Sequence, residues 1–130
     1  MEIKISPDKE KKGFFTVSPV GTIDSDTYLE FQKNVGPLLV PATRGILLDL
    51  KRVDYISSAG LGVLFSMKKF LFDNGGELLF CNLKPQIKRL FDIVKALPSA
   101  TIFESYEEAD RYFYKMMNEE IERGGGKESL

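Results

Sequence analysis

The 130-residue chain contains no histidine, so the commonest general base and the commonest zinc ligand are both missing. A hydrolase triad or a zinc centre would have to be built without its usual residue. There is one cysteine, Cys81, and no internal disulfide can form. It closes the apolar run Glu77-Leu-Leu-Phe80-Cys81 and reads as a buried structural thiol rather than a nucleophile. Neither Gly-x-x-x-x-Gly-Lys-Ser/Thr nor Gly-x-Gly-x-x-Gly occurs, and Gly60-Leu-Gly62 is only a fragment of the second. No apolar stretch reaches the ~20 residues that span a bilayer, and Met1-Glu-Ile-Lys-Ile-Ser-Pro7 lacks the basic-then-apolar plan of a signal peptide. The expectation is a cytoplasmic protein with no membrane insertion. The formal charge is -1 with acids and bases interspersed, which offers no broad basic surface to nucleic acid.

What is present fits one ordinary domain with a real core. Glu2 to Ser6 alternates polar and apolar residues, and Phe14 to Val20 is aromatic and β-branched, with a charged stretch and Gly13 between them; this is a hairpin. Pro19 would interrupt a ladder, so the second strand is expected to end or bulge there. Tyr28, Phe31, Val35 and Leu38 recur at helical spacing from Asp26 on, with Leu29 and Leu39 widening the stripe. Gly45-Ile-Leu-Leu-Asp-Leu50 is uniformly apolar, as a central parallel strand covered on both faces would be.

A second helix is expected over residues 59–72, with Leu61, Leu64, Phe65 and Leu71 inward, and Asp73-Asn-Gly-Gly76 stops it. A strand at Glu77 to Cys81 follows, then a helix opened by Pro85 with Ile87, Leu90, Phe91 and Val94 as its stripe. A short strand at Thr101 to Phe103 leads to a last helix begun by the capping box Ser105-Tyr-Glu-Glu108, with Ala109, Tyr112, Phe113 and Met116 inside. The domain spans residues 1–118, and the polar, glycine-broken tail 119–130 is expected to be disordered. The order β-β-α-β-α-β-α-β-α makes an α/β fold with a mixed, mainly parallel central sheet of four to five strands and about four helices. Ligands and modifications in such sheets gather at the carboxyl ends of strands, where Asp24 and Ser58 both fall.

The most informative stretch is Asp49-Leu-Lys-Arg-Val-Asp-Tyr-Ile-Ser-Ser-Ala-Gly-Leu-Gly-Val-Leu64, which runs from a buried strand through a tight polar turn into a helix. Ser58 then stands at a helix N-terminus, where backbone N–H groups are open and the helix dipole is positive. It can cap the helix as a hydroxyl or carry a dianion as a phosphoserine. Ser57 has the same two options, capping being the stronger. Asp24, Ser25 and Asp26 can cap the first helix, and Gly60 and Gly62 cost helix stability unless something approaches closely there.

Leu47-Leu-Asp-Leu50 followed by Val53-Asp-Tyr-Ile-Ser-Ser-Ala-Gly-Leu-Gly-Val-Leu64 resembles the signature of the STAS domain, in particular of bacterial anti-sigma factor antagonists. Gly21-Thr-Ile-Asp24 resembles a second family motif, a Gly-x-Leu/Ile-Asp turn, and the resemblance runs from about Ile3 to about Met117. It departs from many antagonists at two places, with Ser57 where they carry an acidic residue and Ala59 where they carry a second hydroxyl.

The resemblance implies a non-catalytic switch whose unmodified form binds an anti-sigma factor serine kinase and frees a sigma factor. It implies that the kinase, which brings ATP and magnesium, phosphorylates Ser58, and that a serine phosphatase resets the protein, which needs no cofactor of its own. It also implies a partner surface of Asp24, Ser25, Ser57, Ser58, Ala59, Gly60 and Gly62. The rival expectation is a STAS scaffold or docking subunit of a larger sensory or transport complex, with Ser58 a cap. A small enzyme or nucleotide-binding domain is a third, for which the chain offers neither histidine nor phosphate loop.

Overall fold

A computed structural model describes residues 1–94, 101–103, 105, 107–109, 111, 112 and 115. The chain forms β1 (Glu2–Pro7), β2 (Phe14–Ile23), α1 (Tyr28–Val35) with a 3-10 turn at Gly36–Leu38, β3 (Gly45–Asp49), β4 (Val53–Ile56), α2 (Ser58–Asp73), β5 (Glu77–Cys81), α3 (Pro85–Val94) and β6 (Thr101–Phe103). The strands lie in the order β1-β2-β3-β5-β6, with β4 paired to β2 beyond the end of β3. Among the described residues only β1 runs antiparallel to its neighbour; β2, β3, β4, β5 and β6 are mutually parallel where they pair.

The α/β fold expected from the sequence is the one found, with two local differences. The polar turn before the second helix is not a direct connection, because Val53–Ile56 inserts as a fourth strand between β3 and α2. Nor does β2 end at Pro19. It continues to Ile23, and its irregularity falls between Gly21 and Thr22.

The reason for the second difference is geometric. β2 pairs with β3 over Phe14–Val17 and with β4 from Gly21 onward, leaving Ser18 to Val20 without a ladder on that edge. The Gly21 N–H donates to the Arg52 carbonyl at 2.9 Å, so two-residue alternation turns the Pro19 nitrogen toward the same edge, inside the gap. A proline costs nothing where no donor is required.

Alternation also explains the core. From β3, Ile46 and Leu48 join Phe31 and Val35 of α1, Leu64, Met67 and Leu71 of α2, and Ile87 and Phe91 of α3 on one face. Leu47 points the other way, into a smaller cluster with Phe14, Leu79, Cys81 and Ala109. The central strands are therefore covered on both faces, as their apolar runs require. Phe80 and Phe91 meet edge-to-face with centroids 5.3 Å apart.

Two apolar residues expected inside are outside: Leu29 is 63% exposed and Phe65 39% exposed. Leu29 stands two positions from buried Phe31, roughly 200° round the helix, so periodicity favours Phe31 and Val35 over it. Gly75, with φ +78°, takes the left-handed conformation that ends α2, and the Gly76 N–H donates to the Leu71 carbonyl at 2.7 Å. The last helix is represented by helical residues at 107–109, 111, 112 and 115, and Ser105 Oγ accepts from the Glu108 N–H at 3.2 Å as the capping box predicts. Phe113, Met116, the side chain of Val94 and the tail 119–130 lie outside the described residues.

Cys81 is buried, and burial, helped by the nearby Asp49 charge, pushes its thiol up to about 12. Its thiolate is therefore scarce in the folded state. At about pH 8 a thiol reagent such as Ellman's is expected to label Cys81 only as fast as the protein opens, and rapid labelling without denaturant would contradict this placement.

Candidate functional site

β2 and β4 end side by side, so the turns that follow them meet at one edge of the sheet. The Ser57 N–H donates to the Ile23 carbonyl at 2.8 Å, which fixes the start of α2 next to the Asp24 turn. The sequence motifs Gly21-Thr-Ile-Asp24 and Val53 to Leu64 are thus brought together by a backbone hydrogen bond.

In the upstream turn, Asp24 is the organising residue. Its carboxylate accepts from the N–H groups of Asp26 at 2.9 Å and Thr27 at 3.2 Å and from the Thr22 hydroxyl at 3.2 Å. The Thr27 hydroxyl in turn donates to the Thr22 carbonyl at 2.7 Å. The N-cap of α1 is Thr27 and not Asp24, Ser25 or Asp26; Asp24 closes the turn that leads into the helix, while Ser25 and Asp26 are exposed. Thr22 and Thr27, which no motif singled out, hold the turn closed; the only sequence trace of this is the Thr-x-Asp-x-x-Thr spacing.

The Asp26 N–H, with the two threonines, holds the Asp24 carboxyl below the ordinary 3.8, against a lesser opposing effect of desolvation. Because the folded value is the lower one, the turn's contribution to stability is complete above 3.8 and fades as pH falls below it. A carbon-detected NMR titration is expected to place the Asp24 midpoint under 3.8. In Asp24→Ala, amide exchange at residues 26 and 27 should quicken several-fold, and unchanged exchange would mean the turn holds without this carboxylate.

In the downstream turn the two serines divide the work. Ser57 is the N-cap, with extended backbone, and its hydroxyl accepts from the Gly60 N–H at 3.3 Å while its carbonyl accepts from Leu61 at 2.8 Å. Ser58 is the first helical residue and is exposed. Among the described residues its hydroxyl has no partner, and the N–H groups of Ser58 and Ala59 have none either. The capping role open to Ser58 in the sequence is already taken by Ser57. No hydrogen bond joins Asp24 to Ser58, since the Asp24 carboxylate is committed to its own turn.

The two glycines of the motif separate. Gly62 is exposed, with open space where a Cβ would stand. Gly60 is buried, and a Cβ there would come within 2.6 Å of the Ile23 carbonyl oxygen. Gly60, expected at the partner surface, is therefore turned into the fold; the close approach that requires it is made by β2 of the same chain.

Ser58, Gly62, Phe65, Lys69 and Phe72 follow one another at three- and four-residue intervals and share one face of α2. Phe72 is 77% exposed, and Lys69 is paired with Asp73 at 3.0 Å, so this face carries little free charge. Tyr55 of β4 is exposed close by in the chain. The i+4 and i+7 spacing from Ser58 was the available signal for this face, masked because Phe65 reads as core. The Lys84 ammonium pairs with Asp54 and ties the start of α3 to β4.

The sequence pattern of the STAS domain matches residues 7–109. The chain is similar to BtrV of Bordetella bronchiseptica, which carries an anti-sigma factor antagonist name, at 32% identity over 111 residues covering 85% of this chain and 95% of that one. It is similar to the anti-sigma-B factor antagonist of Staphylococcus aureus, at 32% identity over 93 residues covering 72% of this chain and 85% of that one. In fold it resembles the anti-sigma factor antagonist SpoIIAA solved in its unphosphorylated form, with a TM-score of 0.65 and 13% identity over 86% of this chain and 98% of that one.

Proposed function

The chain belongs to the STAS domain family, and from that membership and the free Ser58 hydroxyl at the start of α2 we propose that it acts as an anti-sigma factor antagonist switched by phosphorylation. In its unmodified form it binds an anti-sigma factor that is a serine kinase, and so releases a sigma factor. The partner supplies ATP and magnesium and transfers the γ-phosphoryl group to Ser58 Oγ; a serine phosphatase removes it. The protein itself carries out no chemistry and works in the cytoplasm.

The observation that carries this reading is the division between Ser57 and Ser58. The hydroxyl that caps the helix is not the one that would be modified. A phosphate on Ser58 would stand at the positive end of the α2 dipole beside the open N–H groups of Ser58 and Ala59, so the helix tolerates it. The same phosphate adds about -1.5 to -2 charge to a face with little free charge near the Asp24 turn, where it repels and must be desolvated by any partner.

The test is intact and peptide mass spectrometry after incubation with magnesium-ATP and candidate anti-sigma kinases from the same genome, with Ser58→Ala as control. One phosphate located on Ser58 and absent from the control is the expected result. Tight binding to a partner with no phosphate on any serine would instead favour a docking subunit with Ser58 as surface.

A further inference from the structure

The place where β2 changes partners is also a cavity. Where β3 has ended and β4 has not begun, the chain makes the turn Asp49 to Arg52, and the gap opposite Ser18 to Val20 holds a cavity of about 320 Å³. Its far wall is β1, whose Glu2 and Lys4 stand opposite Val20 and Ser18 in the antiparallel register.

Three cations line this cavity: Lys4, Lys51 and Arg52. Among the described residues none of their side chains has an ion-pair or hydrogen-bond partner. Two carboxylates share the wall. Asp49 is partly satisfied, accepting from the Lys51 N–H and the Asn82 amide at 3.1 Å each, and Glu2 is exposed on the rim. The Ser18 hydroxyl completes the polar lining.

We propose that this cavity is a binding site for a small phosphorylated polyol, a sugar phosphate, with the phosphate on Lys4, Lys51 and Arg52 and hydroxyl groups donating to Glu2 and Asp49. A bare anion would leave the two carboxylates facing it, whereas a ligand with an anionic end and a hydroxylated end satisfies both sets of groups. The volume is at the small end of the range for metabolite pockets, which excludes a bulky ligand. The position, outside the carboxyl end of a parallel strand, is where α/β sheets present ligand sites. The inference does not depend on the Ser58 switch, which lies beyond the end of β4.

The experiment is a ¹H–¹⁵N NMR titration of the unphosphorylated chain with ribose 5-phosphate, with ribose and inorganic phosphate as separate probes. The expected result is saturable shifts at the amides of residues 4, 18, 51 and 52, weaker shifts with phosphate alone and none with ribose. Lys51→Ala/Arg52→Ala replaces exposed side chains, so it should keep the native spectrum and lose about tenfold or more in affinity. Absence of saturable shifts up to about 10 mM ribose 5-phosphate overturns the site. Shifts confined to residues 57–60, equal affinity for inorganic phosphate, or unchanged affinity in the double variant overturn it as well.

Discussion

Ser58→Ala is expected to bind the anti-sigma partner as tightly as the unmodified chain and to do so permanently, whereas Ser58→Asp should bind roughly a hundredfold more weakly, a loss of about 3 kcal/mol. The asymmetry comes from where the side chain stands. Alanine removes a hydroxyl that has no partner among the described residues, so nothing there is left unsatisfied. Aspartate introduces a charge at an exposed surface near the acidic Asp24 turn, and a partner that covers it must strip its water. The fold should respond in the opposite sense, because an acidic residue in the first turn of α2 interacts favourably with the helix dipole. Calorimetric titration against the partner and thermal melts of both variants separate the two effects. Equal binding by both variants would remove Ser58 from the interface, and a large fall in melting temperature for Ser58→Asp would show that the charge acts on the helix instead.

The second large effect is a contrast between two glycines two residues apart. Gly60→Ala is expected to destabilise the protein by about 2–3 kcal/mol, even though alanine is worth about 1 kcal/mol more than glycine inside a helix. Gly62→Ala should be neutral or stabilising by up to about 1 kcal/mol. A Cβ at Gly60 meets the Ile23 carbonyl oxygen at 2.6 Å and the Ile23 and Ile56 methyl groups at 2.9 Å, and the first of these is backbone that cannot swing aside. At Gly62 it meets nothing within 4 Å. Urea denaturation of the two variants measures both values. A stable Gly60→Ala would mean that α2 can lift from β2, and with it that the hydrogen bond from Ser57 to Ile23 is not what joins the two turns. Gly62→Ala also reports on the partner: if binding weakens while stability rises, a partner backbone approaches the open side of the helix there.

These glycines show how far the sequence could be read. The pairing of Gly60 and Gly62 in one motif signalled that space mattered, but not which neighbour filled it, because the neighbour of Gly60 is Ile23, far away in the chain. The uniformly apolar runs that make β3 and β5 two-sided were legible, since they are written in consecutive residues. The fourth strand was not. Val53-Asp-Tyr-Ile56 is four residues long with Asp54 and Tyr55 exposed, and its place depends on β2 outrunning β3. Pro19 pointed away from that outcome, because whether a missing N–H matters is decided by which edge it faces. Asp24 and Ser58 were recognisable from their motifs, while the hydroxyls of Thr22 and Thr27 became visible only when the turn closed around Asp24. Phe65 was misplaced because aromatic residues are usually core and only its position on the wheel, beside Ser58 and Gly62, says otherwise.

If Ser58 is modified as proposed, Ser57 holding the helix while Ser58 stands exposed constrains how the modifying enzyme would recognise this protein. The target hydroxyl is displayed by a cap, a strand end and a neighbouring turn that exist only together, so its shape is not contained in any short stretch of chain. A kinase acting on Ser58 would read a docked tertiary surface, and a synthetic peptide covering residues 53–64 would present the same letters without the same object. Selectivity would then reside in topography and not in consensus.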